Sequence, residues 1–334
     1  MNLTTIAASD LTPTERSKVE IALLSAFIIL IILFAITGNI AVIFAIHTSH
    51  HLKEEMSNMF IVNLSITDLT SALVVMGSAL VAISTDSWPL GQAWCDIVCA
   101  VNYCMIIVSM LNLCFISVDR YIAIVHAMQY NLLMTRRRIF LMIAYSWFQG
   151  AMFACIPVIF RWVKYDYWEA ICAIQWHEQR DRALYYVIIA FIMCFLLPGL
   201  ILILCYSQIL KFTKANQRVI ATCDFNTQTV GVKYPTSSKA MYGLLVVVVA
   251  YFVCMTPFSV TKLYKVSVAE DHVLPDYLNL VASLTGYLSS AVNPLIYGIF
   301  RRDFRKAFQL VFKKILAERA VAPVGHNTNL SELN

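Results

Sequence analysis

CDIVCAVNYCMIIVSMLNLCFISVDRY, residues 95–121, decides the fold. After Asp96 it carries no charge until the triplet Asp119-Arg120-Tyr121 closes it. At about 1.5 Å per residue, a helix from Cys95 to Arg120 is roughly 37 Å long, against about 30 Å for the hydrocarbon core of a bilayer. The cysteine and the arginine therefore fall in opposite interfaces of a membrane. One end offers a covalent tether and the other a charged switch.

Working outward, six more apolar segments of about 20 to 28 residues flank this one. They are Ile21 to Ile46, Met59 to Ser84, Ile139 to Phe160, Leu184 to Phe212, Ala240 to Leu263 and Leu278 to Phe300. With 60% hydrophobic and 13% charged residues in 334, the chain cannot hide its apolar surface as a soluble domain. The expected fold is an all-α membrane protein, a seven-transmembrane helix bundle spanning residues 20–300. Residues 301–316, RRDFRKAFQLVFKKIL, alternate basic and apolar side chains at helical spacing. They read as a short amphipathic eighth helix on the membrane surface, followed by a tail at 317–334.

Most of the 25 Lys and Arg fall after the first, third and fifth segments and in the tail. That bias places the tail in the cytosol and residues 1–19 outside, in the plasma membrane as a multi-pass protein. The first apolar run lacks a small-residue cleavage pattern and reads as a signal anchor. Asn2, in Asn2-Leu3-Thr4, is then a glycosylation acceptor. The net charge of +5 belongs to loops facing anionic lipid and does not point to nucleic acid.

Polar groups at membrane depth need a reason. Asp68 is a lone carboxylate in the second segment, and Asn39, Ser109, Ser289, Ser290 and Asn293 lie at comparable depths. Such a set suits a sodium ion, a protonated carboxyl, or a structural network between helices. Arg120 beside Asp119, with Tyr206 and Tyr297 near other cytosolic ends, favours a switchable network over simple snorkelling. Pro157, Pro198, Pro257 and Pro294 free backbone carbonyls where helices can bend. Of ten cysteines, only Cys95 and Cys172 fall at loops on the outer face, where a disulfide is expected. All seven histidines lie outside the spans and no His-Glu-x-x-His motif occurs, so an enzyme is excluded and no metal or cofactor is expected. An ion-coupled transporter using Asp68 is the alternative, but the repeat symmetry it would need is not seen.

Gly38-Asn39, Asn63-Leu64 with Asp68, Trp88-Pro89-Leu90-Gly91, Cys95, Asp119-Arg120-Tyr121, Trp147, Pro198 with Tyr206, Cys254-x-x-Pro257 and Asn293-Pro294-x-x-Tyr297 occur in this order. Together they make the chain resemble a class A, rhodopsin-like G protein-coupled receptor, in texture the amine-receptor-like orphan subgroup. The resemblance covers Ile21 to about Ile315. It implies that Asp119, Arg120, Tyr121, Tyr206, Asn293, Pro294 and Tyr297 serve activation, with Arg120 engaging a heterotrimeric G protein once the sixth helix swings outward. It implies a sodium pocket from Asn39, Asp68, Ser109, Ser289 and Asn293, with Na+ as an allosteric ion. An extracellular ligand, membrane lipid and arrestin are the other implied partners, though serines and threonines for strong arrestin recruitment are few.

Three departures qualify the resemblance. Met255 stands where the family usually has a tryptophan two residues before the sixth-segment proline, which suggests a looser toggle. The acid that often restrains the arginine from the base of the sixth helix is absent, with Ser237 or Ser238 near that place, which suggests raised basal signalling. Asn102 stands where amine receptors carry an aspartate, so a conventional monoamine is disfavoured although Tyr287 is retained. No lysine in the seventh segment offers retinal a Schiff base. The remaining ligand-pocket candidates are Tyr103, Phe191, Met255, Phe258 and Lys262. Lys262 and Lys265 share one helix face. They either capture an anion, such as a lipid acid or a nucleotide, or snorkel to headgroups.

Overall fold

The structure, a computed structural model, describes residues 15–175, 180–223, 238–267 and 275–320. Asn2, Ser237 and the tail beyond Ala320 lie outside them. The first span, Lys18–Thr48, starts a turn before its apolar run because Ser17 and Glu20 form a reciprocal capping box. The second, Asn58–Ser84, and the third, Gly91–Val125, follow a short helical turn, His50–Glu54. The fourth span is Arg136–Ile159, capped by Thr135, and the fifth is Leu184–Ala215. The sixth is Ser238–Ser267 and the seventh Asp276–Phe300. The surface helix, Arg302–Ala320, extends past residue 316.

By length and composition six of these helices are apolar enough to cross a membrane. The seventh is 25 residues long but diluted by inward-facing Asn279, Ser283, Ser290 and Asn293. Its polarity faces protein, so it can cross a membrane although it is less apolar than the other six.

The third span is the central post. Two-thirds (67%) of its most apolar window is buried, against 17% for the first span, whose Leu23, Leu33 and Phe34 point outward. In water such a surface would drive association; in a bilayer it meets acyl chains. Asn112 of the third span donates to the Phe60 carbonyl of the second, and Trp147 of the fourth donates to Asn63 at 2.9 Å. At Gly38 a Cβ would lie 2.8 Å from the Pro294 side chain, so glycine is what lets the first span touch the seventh. Pro157, Pro257 and Pro294 sit inside their helices. Pro198 follows a π turn at Ile192–Leu196, and the second span has another at Ser71–Met76.

Outside the bundle, β1 (Val163–Asp166) and β2 (Ile171–Ile174) pair antiparallel, with Tyr165 opposite Cys172. The expected Cys95–Cys172 disulfide is present. It ties β2 to the head of the third span and lays the hairpin across the mouth of the bundle. Arg16 adds a clasp, pairing with Asp86 at 3.0 Å while Tyr167 donates to the same carboxylate.

Candidate functional site

At the end of the bundle opposite the disulfide, Asp119 is fully buried and accepts from Arg120 and from the Tyr130 hydroxyl. Arg120 also pairs with Glu55 at 3.1 Å and donates to Ser57. The second Glu55 oxygen accepts from Arg301 at 3.2 Å and from Asn58 at 3.3 Å. Burial pushes the Glu55 carboxyl up, but the Arg120 and Arg301 guanidiniums outweigh it and hold the group below the usual carboxylate range. Glu55 thus gives Arg120 a second acidic partner beside Asp119, although the acid expected from the base of the sixth helix is absent from the sequence. The carboxylate comes from the loop between the first and second spans, where sequence order gave no reason to look.

Tyr121 turns away from this cluster and meets His126. Tyr206 and Tyr297, expected to join Arg120 in a network, instead pack in the apolar core. Their buried hydroxyls have no hydrogen-bond partner among the described residues. Pro294 packs beneath Gly38.

At mid-membrane, Asn293 donates to Asp68 at 2.9 Å. A cavity brings Asp68, Ser109, Ser289 and Ser290 to one wall, together with Thr67, Ser71 and Ser283, three residues whose place here was not anticipated. Ser109 shares a hydrogen bond with Thr67. Asn39 departs from expectation. Its amide nitrogen donates to the carbonyls of Ala35 and Ser290, so it braces the first span on the seventh and makes no hydrogen bond to the carboxylate among the described residues.

The same cavity rises past Asn102, Met255, Phe258 and Tyr287. A second cavity, of about 800 Å3 with its mouth included, opens between the third, fifth and sixth spans. Tyr103, Phe191, Met255, Phe258 and Lys262 line it. All seven ligand-pocket candidates thus face one cavity or the other. Below Met255, the Tyr251 hydroxyl donates to the Ile106 carbonyl at 3.1 Å, which pins the sixth span to the third and answers the looseness expected from Met255.

The lysines do not snorkel. Lys262 is ion-paired with Glu169, and Lys265 reaches Asp166 at 2.9 Å and Glu169 at 2.7 Å. Burial pushes the Glu169 carboxyl up, but the two ammonium groups outweigh it and bring it down to about 2. Glu169 lies three residues before Cys172. The disulfide could have announced that an acid there hangs over the bundle.

Comparison with known proteins agrees with this architecture. The chain has the fold of squid rhodopsin, with a TM-score of 0.76 over 93% of this chain and 94% of that one at 22% identity. It is 28% identical to the Drosophila melanogaster octopamine receptor beta-1R over 90% of this chain, and spans 63% of that receptor's length. Against the human histamine H2 receptor it is 26% identical over 98% of this chain and 89% of that receptor. The profile of the seven-transmembrane receptor, rhodopsin family, matches residues 38–297. With most of its length inside that match, the chain belongs to the rhodopsin family of seven-transmembrane, G protein-coupled receptors, a family of receptors and not of enzymes.

Proposed function

We propose that this receptor sits in the plasma membrane with its N-terminus outside and relays an extracellular ligand to a heterotrimeric G protein. The observation that carries the reading is Arg120, held at the inner mouth by Asp119 and Glu55 in a cluster that opening of the bundle would break. Tyr206 and Tyr297, with unspent hydroxyls nearby, would then have an arginine to meet. Outward movement of the sixth span needs release of the Tyr251 hydrogen bond first.

The carboxylate and hydroxyls around Asp68 suit a sodium ion, with Asp68, Ser109 and Ser289 as ligands and Asn293 orienting the carboxylate. The ion would neutralise Asp68 and favour the closed state. Arrestin and the lipid surface under Arg302–Ala320 are further proposed partners. The transporter alternative raised by Asp68 finds no support in the matches.

Several relatives are named for amines, namely octopamine, histamine and dopamine. Asn102 gives an ammonium no charge-assisted bond in the third span, so the proposal does not extend to a conventional monoamine. The test is basal cyclic AMP in cells expressing the chain, its Arg120→Ala variant, or neither. A shift in either direction that Arg120→Ala abolishes supports coupling. A shift that survives Arg120→Ala, at matched surface expression, counts against it.

A further inference from the structure

The cavity between the third, fifth and sixth spans has an apolar wall and, among its lining residues, a single charged one, Lys262. Lys262 is 8% exposed, and its ammonium lies 5.0 Å from the centre of the Phe258 ring. Among the described residues its one carboxylate partner is Glu169. Glu169 is held twice, by Lys262 and Lys265, and Lys265 is itself held twice, by Glu169 and Asp166. The cluster is therefore asymmetric in what it can release.

An amine entering the cavity would have to take Glu169 from Lys262. That strands a buried ammonium without an ion-pair partner, since Asp166, which acts on it from farther off, is already paired with Lys265, and such a state is costly. An acid entering the cavity takes Lys262 from Glu169. Glu169 then keeps Lys265, and no buried charge is left alone. One carboxylate has simply replaced another. The Tyr103 hydroxyl lines the same cavity, is buried, and has no partner among the described residues, which leaves one more donor for an incoming oxygen.

We propose that this cavity binds an apolar ligand carrying one carboxylate, which displaces Glu169 from Lys262. A nucleotide fits less well, because its base, sugar and several phosphate charges would meet Phe191, Cys194, Phe195 and Leu263. Displacement also frees the β1–β2 hairpin from the sixth span on its Lys262 side, so ligand entry loosens a contact that fixes the outer end of that helix. The inference rests on the receptor reading only for this signalling consequence; binding is measured by itself.

The test uses the purified full-length receptor in phosphatidylcholine nanodiscs and follows thermal unfolding. The probes are oleate, below its micelle-forming concentration, and indole-3-propionate, each beside its methyl ester and the amine of the same skeleton. The expected result is that at least one acid raises the Tm while its ester and amine do not. A response to oleate alone marks the source as a lipid acid, and to the indole acid alone as an aromatic acid. Lys262→Gln should abolish the shift and Lys262→Arg should keep it. Glu169→Gln, which removes the competing carboxylate, should tighten acid binding about tenfold, the order of one charge-assisted hydrogen bond. No shift with either acid, an equal shift with the amine, or a shift that survives Lys262→Gln overturns the proposal. If Lys262→Gln fails to fold, the Glu169→Gln arm decides, and unchanged affinity there overturns it. Nucleotide exchange on the same preparation reports separately on the receptor reading.

Discussion

Glu55 Oε1 lies 3.1 Å from Arg120 Nη1, while Oε2 of the same carboxylate reaches Arg301 at the head of the surface helix. One acid between the first and second spans thus joins the third span to the segment after the seventh. Replacing it as Glu55→Gln keeps the shape and removes the charge. Both side chains are partly solvated, so the pair is worth about 1 kcal/mol, or roughly a fivefold shift toward the open state. Basal nucleotide exchange on a G protein should rise by that order in Glu55→Gln, and unchanged exchange would show that the pair does not restrain the receptor.

Tyr251→Phe removes the hydrogen bond to the Ile106 carbonyl and leaves the ring in place. A bond of this kind contributes about 1 kcal/mol. The variant should raise basal exchange, and combined with Glu55→Gln its effect should add, because the two contacts share no partner. Conformational labelling at the N-terminal end of the sixth span would read the same change directly.

Asp68→Asn tests the ion. Thermal unfolding in sodium chloride should exceed that in choline chloride at equal ionic strength for the parent chain, and the two salts should give equal values for Asp68→Asn. A sodium effect that persists without the carboxylate places the ion elsewhere.

Glu169 makes stability depend on pH. Its carboxyl is held at about 2 against an ordinary 4.5, so the folded state favours the charged form. Stability from this group is complete above about pH 4.5 and drains away as pH falls toward 2. Glu169→Gln should be less stable than the parent at pH 7, and the gap should close on acidification through that window. A gap constant with pH would mean that the ion pairs contribute nothing.

Gly38→Val places carbon where the Pro294 side chain already sits, at 2.8 Å for the first added atom. Overpacking of this kind costs about 1–3 kcal/mol. Surface expression and Tm should both drop, whereas Gly77→Ala, whose Cβ meets nothing nearer than 3.9 Å, should change little.

The spans were legible because hydrocarbon imposes length and apolarity on each helix, and the third declared its ends with Cys95 and Arg120. The seventh was legible as well, although its polar inner face hides it from composition alone. The site was legible wherever one residue type has one use at membrane depth, as with Asp68 and Asn293. Glu55 and Glu169 were not, because an acid in a loop is ordinary until the fold brings it against a buried cation. The partners of Asn39 were not legible for a related reason: depth along a helix is readable from sequence, but the direction in which an amide turns is not.

The π turn at Ile192–Leu196 divides the fifth span into two lengths of helix. An ordinary turn advances about 100° per residue, so one extra residue offsets everything beyond it by that angle. Tyr186, Val187 and Phe191 before the turn meet the cavity shared with the third and sixth spans, while Leu202, Tyr206 and Ile209 after it join the core around Tyr297. Losing a single residue here would swing one half out of register and leave the other untouched. The turn acts as a phase joint: a change of register there would re-aim the face that lines the cavity while the face packed in the core kept its setting.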